Sequence, residues 1–207
     1  MAIQKAGTFV DELLRRTRDP QAGGTPRSEV RLLLGHAQRV INAATAAVLT
    51  EKEYPLEPKR TLYDLDEVVQ IFQEPFVRLV SIRYADLTLL REDWQDIARQ
   101  NRTWLRTFGP QPFAWAPIGG NLFMVYPGPE AERVFVTLVL VRLLPLFDDD
   151  DGDVLLPLEL HTRLLDLAEG LIFLRRRQPA DAMKALERAS IIALGRRERA
   201  RQIDAEG

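Results

Sequence analysis

The sequence predicts an α+β protein: a helical bundle, built from N-terminal helices and a C-terminal antiparallel helix pair, carrying a β-rich insertion. Three observations predict it. Apolar residues recur at the helical period near both ends of the 207-residue chain. They are Val30, Leu33, Leu34, Ala37, Val40, Ile41 and Ala44, then Leu160, Leu164, Leu167, Ala168, Leu171 and Ile172. Between them, residues 45–90 are rich in β-branched and aromatic residues with short alternations, and prolines fall at 55, 58 and 75. Two further apolar segments, Asn121 to Tyr126 and Arg133 to Leu143, read as the strands of a hairpin around Pro127, Gly128, Pro129 and Glu130.

Each element has its own local signal. Thr8 and Asp11 form a capping-box pair beside Val10, Leu13 and Leu14, so a short first helix is expected to end before Asp19-Pro20. Residues 20–24 (PQAGG) read as a flexible loop. Thr25 then serves as an N-cap with Pro26 at the first helical position, and this helix runs to about Ala44. In the insertion, Leu62, Asp64 and Asp66 alternate with Thr61, Tyr63 and Leu65, as in a strand. Residues 91–107 turn helical, with Trp94, Ile97 and Ala98 on one face, and Gly109-Pro110-Gln111-Pro112 stops them. The strand at 133–143 is apolar on both faces: Val134, Val136, Leu138 and Leu140 on one, Phe135, Val139 and Val141 on the other. Such a strand needs cover on both sides, from a helix or from a partner subunit. The long C-terminal helix ends near Gln178-Pro179, and a last helix through Ala182, Leu186, Ala189 and Ala193 ends at Gly195. Residues 1–44 and 144–195 therefore form one helical body. Residues 45–143 are the insertion, with a short helix near 91–107, and 196–207 are a charged tail.

Composition narrows the function. Hydrophobic residues make up 46% and charged residues 28%, which places the chain among folded proteins, not disordered ones. A net charge of −2 is not the footprint of a nucleic-acid binder. The absence of cysteine excludes disulfides, thiol nucleophiles and cysteine-based metal sites, and suits a reducing cytoplasm. The opening MAIQKA lacks the apolar core of a secretion signal. The longest apolar run, Val134 to Phe147, is broken by Arg142 and Pro145 and is too short to span a bilayer.

The segment LFDDDDGDVLLPLELH (146–161) is the one place where chemistry suggests itself. Asp148 to Asp151 and Asp153 concentrate carboxylates, which invites a cation and a carboxylate-metal hydrolase. Calcium-loop geometry fails, however. With Gly152 at the sixth position, Phe147 falls at the first and Leu158 at the twelfth, where oxygen ligands are required. A solvated loop ahead of a helix is the better reading. His36 and His161 each lie inside a predicted helix and read as structural. No G-x-S-x-G elbow and no P-loop occur. No catalytic, cofactor-binding or metal-ligating residue is expected.

Arginines cluster at predicted helix ends. Arg15, Arg16 and Arg18 close the first helix, and Arg175, Arg176 and Arg177 close the penultimate one, where cations offset the helix dipole. Arg196, Arg197, Arg199 and Arg201 lie beyond Gly195, in a tail with no apolar face wide enough to pack. Such a tail is solvated or folds against a partner. Trp94, Trp104, Trp115 and Phe113 read as core or turn-packing residues.

The order of four stretches carries a resemblance. They are SEVRLLLGHAQRVINA (28–43), FGPQPFAWAPIGGNLFMVYPGPEAERVFVTLVL (108–140), PLFDDDDGDVLLPLELHTRLLDLAEGLIFLRR (145–176) and ADAMKALERA (180–189). Together, over roughly residues 26–194, they resemble the head-to-tail adaptor (connector) proteins of tailed bacteriophages. The resemblance implies a structural virion protein made in the host cytoplasm. It implies a homo-oligomeric, dodecameric ring below the portal that extends the channel for double-stranded DNA and docks tail or nozzle proteins, with no cofactor and no membrane. It also implies a portal-binding role for Arg196, Arg197, Arg199 and Arg201. The apolar face of Val134, Val136, Leu138 and Leu140 would meet a neighbouring subunit. A stopper or tail-completion protein is the alternative within the same class.

Overall fold

The structure, a computed structural model, describes residues 4–19 and 21–189. Its elements in the N-terminal half are β1 (Gln4–Lys5), α1 (Ala6–Arg16), α2 (Arg27–Thr45), β2 (Leu49–Leu56), β3 (Leu62–Asp64), α3 (Leu65–Phe72), β4 (Phe76–Tyr84), β5 (Leu87–Thr88) and β6 (Leu90–Arg91). They continue as α4 (Trp94–Gln100), β7 (Phe108–Gly109), β8 (Ala114–Ile118), β9 (Leu122–Tyr126), β10 (Gly128–Pro129), β11 (Val134–Arg142), β12 (Asp153–Val154), α5 (His161–Arg175) and α6 (Pro179–Ala189). The protein is thus α+β. It divides into two compact units, Met1–Val48 with Leu143–Gly207, and Leu49–Arg142.

The first unit is helical because three apolar stripes need one another. Phe9, Val10, Leu13 and Leu14 of α1, Val30, Leu34, Ala37 and Ile41 of α2, and Leu164, Leu167, Ala168 and Ile172 of α5 form one buried cluster. Leu144, Phe147 and Leu156, from the segment leading into α5, join it. Each such valine, leucine, isoleucine or phenylalanine, once fully buried, contributes about 1.5–3 kcal/mol through removal of apolar surface from water. α6 packs on α5 at Gly170, where a Cβ would lie 2.8 Å from Leu186 Cδ2, so any larger residue there would have to displace the Leu186 side chain. The last helix is described to Ala189, and the expected end at Gly195 lies outside the described residues.

Two boundaries differ from expectation. α1 starts at Ala6, and Thr8 is an exposed residue inside its first turn. No side-chain cap is needed there, because the Ala6 and Gly7 amides donate to the Gly152 and Asp150 carbonyls at 2.8 and 2.9 Å. α2 begins at Arg27 after Pro26, and the Thr25 hydroxyl accepts from Arg176 Nε. Val40 is 46% exposed, on the flank of the helix away from the buried stripe.

In the second unit two four-stranded sheets, ordered β2-β11-β4-β5 and β3-β9-β8-β6, share one apolar core. Tyr54, Ile82, Val136, Leu138 and Leu140 come from the first sheet; Tyr63, Trp115, Phe123 and Val125 come from the second. Tyr63 stacks on Phe123 at 5.4 Å, and Tyr54 meets both edge-on. The far face of the second sheet, at Ala116 and Met124, is covered by Ile97 of α4.

Three expectations fail in this unit, each for a local reason. The alternation at 61–66 is a strand only to Asp64. The Asp64 carboxylate then accepts from the Asp66 amide and starts α3, a short helix that buries Val68. The helix expected over 91–107 stops at Gln100, and Asn101 turns the chain by accepting from Thr103 and donating to Thr107 and to the Tyr126 hydroxyl. The segments around Pro127-Gly128-Pro129 are not a hairpin: β9 and β11 belong to different sheets. The hairpin partner of β9 is β8, across Gly119-Gly120, with Trp115 opposite Val125 and Pro117 opposite Phe123. Gly128 and Pro129 instead pair with Phe108 and Gly109 in a parallel ladder. The Gly128 position is so tight that a Cβ would meet Thr61 Cγ2 at 2.6 Å.

Candidate functional site

The acidic loop is a fastener. Its backbone carbonyls, not its carboxylates, cap α1, and β12 pairs with β1 in register Lys5 to Asp153. Lys5 Nζ lies 2.6 Å from the Asp153 carboxylate. Asp150 is the central carboxylate: Oδ2 accepts from Arg27 Nε at 2.6 Å and Oδ1 from Arg31 Nη1 at 3.1 Å. Arg27, seconded by Arg31, holds the Asp150 carboxyl below the usual carboxylate range. Arg27 also reaches Asp11 of α1. One carboxylate thus ties the loop to α2, while the loop's carbonyls hold the start of α1. Asp149 accepts from the Asp151 amide, closing a local turn. Among the described residues no group of three or more histidine, aspartate or glutamate side chains is placed to hold a metal.

This division of labour within the run gives a test. Asp150→Ala is expected to cost about 1 kcal/mol, the scale of a partly exposed charge pair. Asp149→Ala with Asp151→Ala is expected to stay within about 0.5 kcal/mol of the parent. Urea denaturation followed by far-ultraviolet circular dichroism measures both, and calorimetry with magnesium or calcium measures cation binding. Tight cation uptake that the double variant abolishes would revive the metal reading.

The arginines at helix ends also bind specific partners. Asp19 accepts from the amides of Gly23, Gly24 and Thr25 at 2.8–2.9 Å. Arg176 closes the same corner by donating to Asp19 at 2.6 Å, to Thr25 Oγ1 and to the Thr17 carbonyl. Burial works to raise the Asp19 carboxyl, but the three amides and Arg176 outweigh it and hold it below its ordinary value. The loop expected to be flexible is therefore fastened at residues 23–25. Arg16 of α1 reaches across to Asp166 at 3.0 Å and Glu169 at 3.6 Å on α5, and Arg188 of α6 binds the same two carboxylates. Arg15 and Arg16 hold the Glu12 carboxyl down at about 2.

Of the remaining candidates, His161 and Trp115 are structural as read from the sequence, whereas His36 and Phe113 are exposed. His161 Nε2 donates to the Leu156 carbonyl at 2.9 Å, Nδ1 faces the Gln4 side chain at 3.2 Å, and Phe9 packs on its ring edge-on at 5.0 Å. It is a structural histidine that anchors the N-terminal strand. His36 is exposed on α2. Trp115 lies in the core of its unit, Trp94 and Trp104 pack half-buried around Ile97, and Phe113 is exposed against Tyr126.

The strand face assigned from sequence to a neighbouring subunit is covered by the chain's own side chains. Val134, Val136, Leu138 and Leu140 are 7%, 1%, 0% and 1% exposed, enclosed by their own chain between the two sheets. A double-sided apolar strand signals two covers, and here the chain itself supplies this one. On the opposite face Val139 and Val141 are buried too, and only Phe135 is largely exposed. Arg196, Arg197, Arg199 and Arg201 lie outside the described residues.

Carboxylates and guanidiniums that look like chemistry in the sequence are here joints between helices and loops. The class comes from comparison with known families. The chain belongs to the SU10 adaptor protein family, whose family model matches residues 4–205. It is accordingly a phage structural protein of the adaptor type and a component of the virion, and membership of a structural adaptor family implies a non-enzymatic role. No curated protein matches the chain. No helix among the described residues is long and apolar enough to cross a membrane.

Proposed function

We propose that copies of this chain assemble into a dodecameric ring that binds below the portal, extends the DNA channel and presents the docking surface for tail or nozzle proteins. The observation that carries this reading is the family match over 4–205, which takes in both units and the arginine-rich tail. In this reading Arg196, Arg197, Arg199 and Arg201 dock on acidic portal surfaces through charge-assisted hydrogen bonds. The net charge of −2 suits a conduit. Double-stranded DNA must slide past the wall without sequence-specific binding, and a strongly basic wall would hold its phosphates.

Negative-stain electron microscopy of the protein mixed with the portal protein of the same phage tests the ring. A ring added at the narrow end of the portal is the expected image, and its symmetry gives the copy number. A bare portal would move the assignment to a stopper or tail-completion role. Removing residues 196–207 is expected to weaken portal binding at least roughly tenfold, the equivalent of about 1.4 kcal/mol, while leaving the far-ultraviolet spectrum intact. Unchanged affinity would sink the docking role of the tail.

A further inference from the structure

Among the described residues the longest helix, α2, has the wrong outer face for a helix that meets only water. The residues of α2 that point away from its buried stripe are Ser28, Leu32, His36 and Val40, spaced four apart. None carries a formal charge at neutral pH with histidine neutral, and Leu32 and Val40 are 43% and 46% exposed. Elsewhere in the same unit charge reaches the outer faces: α1 exposes Asp11 and Arg15, α5 exposes Arg175 beside Leu174, and α6 exposes Asp181, Lys184 and Arg188 beside Met183. On α2 every charged side chain is drawn to an intrachain partner. Arg27 and Arg31 go to Asp150, Glu29 to Arg175, and Arg39 to the Leu144 carbonyl.

We infer that this stripe is a seam between copies of the chain, a reading that rests on the ring proposed above and adds the face through which neighbours meet. A second copy is the occupant the chemistry favours. A surface that recognises a different, charged partner carries complementary charges, and this stripe has none. Permanent homomeric contacts are the ones depleted of charge at their centre. Size agrees with a seam within a larger contact. From Ser28 to Val40 the stripe spans about 18 Å and, at about 10 Å width, offers roughly 200 Å². A stable pairwise interface takes about 800 Å² per partner, so the stripe alone does not hold two free copies together. Assembly then requires the further contacts that a ring on the portal provides.

The chain has no cysteine, so His36→Cys introduces a unique thiol. Labelled with benzophenone-maleimide and irradiated in the assembly on the portal, it is expected to give an adduct of two adaptor chains. Adding Leu32→Glu is expected to cut the yield of that adduct roughly tenfold, because a buried unpaired carboxylate opposes the contact, while the thermal melt stays within a degree or two. Rings that form but crosslink at residue 36 only to portal or tail protein, or not at all, overturn this inference and leave the ring intact. An adduct yield indifferent to Leu32→Glu overturns it as well. If no ring forms and the protein alone gives no chain–chain adduct at raised concentration, both readings fail together.

Discussion

Leu138→Ala is expected to destabilise the Leu49–Arg142 unit by about 3–4 kcal/mol, near the middle of the range for truncating a buried leucine. Leu138 is fully buried at the centre of β11, with Lys52 of β2 on one side and Ile82 of β4 on the other. Both neighbouring strands pin the backbone, so the site cannot collapse and the cavity stays open. The opposing wall is equally stiff, being built of Tyr63, Trp115 and Phe123. The chain supplies its own reporter. All three tryptophans, Trp94, Trp104 and Trp115, lie in this unit, so tryptophan fluorescence in urea follows its unfolding alone. A lower midpoint with an unchanged slope is the expected signature. Phe135→Ala, on the opposite face and 46% exposed, is expected to cost under about 1 kcal/mol. A loss from Leu138→Ala as small as that from Phe135→Ala would mean that Leu138 is not enclosed within the folded chain, and would restore the neighbour-facing role read from the sequence.

How far the sequence reveals this protein depends on how local each signal is. The buried face of α2 is legible because Val30, Leu34, Ala37 and Ile41 follow one another at helical spacing, and burial follows from periodicity alone. The β8–β9 hairpin is not. Its first strand contains Pro117 and follows Pro110 and Pro112, so the punctuation hides it, while the turn signal at Pro127-Gly128-Pro129 points to the wrong pairing. α3 is hidden differently. Two turns bury only Val68, too few positions to distinguish a helix from an alternating strand. The acidic loop marks the limit of reading residues as chemistry. Asp150 acts through its carbonyl on Gly7 and through its carboxylate on Arg27 and Arg31, partners more than a hundred positions away. No spacing rule predicts them, and a run of aspartates looks the same whether it binds an ion or an arginine.

Arg16→Met is expected to destabilise the helical unit by about 2–3 kcal/mol. Asp166 and Glu169 lie on adjacent turns of α5, with side chains only 9% and 11% exposed. Arg16, 27% exposed, reaches them from α1, and Arg188, 49% exposed, reaches them from α6. The methionine keeps most of the hydrophobic stem but strands two carboxylates in a poorly hydrated place with one solvent-screened cation. Losing one member of a buried charge set costs about 3–5 kcal/mol, and partial exposure lowers that. Arg188→Met is expected to cost less than about 1 kcal/mol, because its guanidinium is largely solvated. Adding Asp166→Asn and Glu169→Gln to Arg16→Met is expected to recover most of the loss, since the neutral amides no longer need a cation. Urea unfolding read by circular dichroism at 222 nm, where helices dominate, measures all three. Acid adds a second axis through Glu12, whose carboxyl is held at about 2 by Arg15 and Arg16 against an ordinary value of 4.5. A depressed folded-state value stabilises the protein above pH 4.5, and that contribution disappears as the pH falls toward 2. The part of the Arg16→Met penalty that arises from Glu12 should therefore shrink over that window. If instead the triple variant is as unstable as Arg16→Met alone, the lost contacts are packing of the arginine stem and not the pairing of charge.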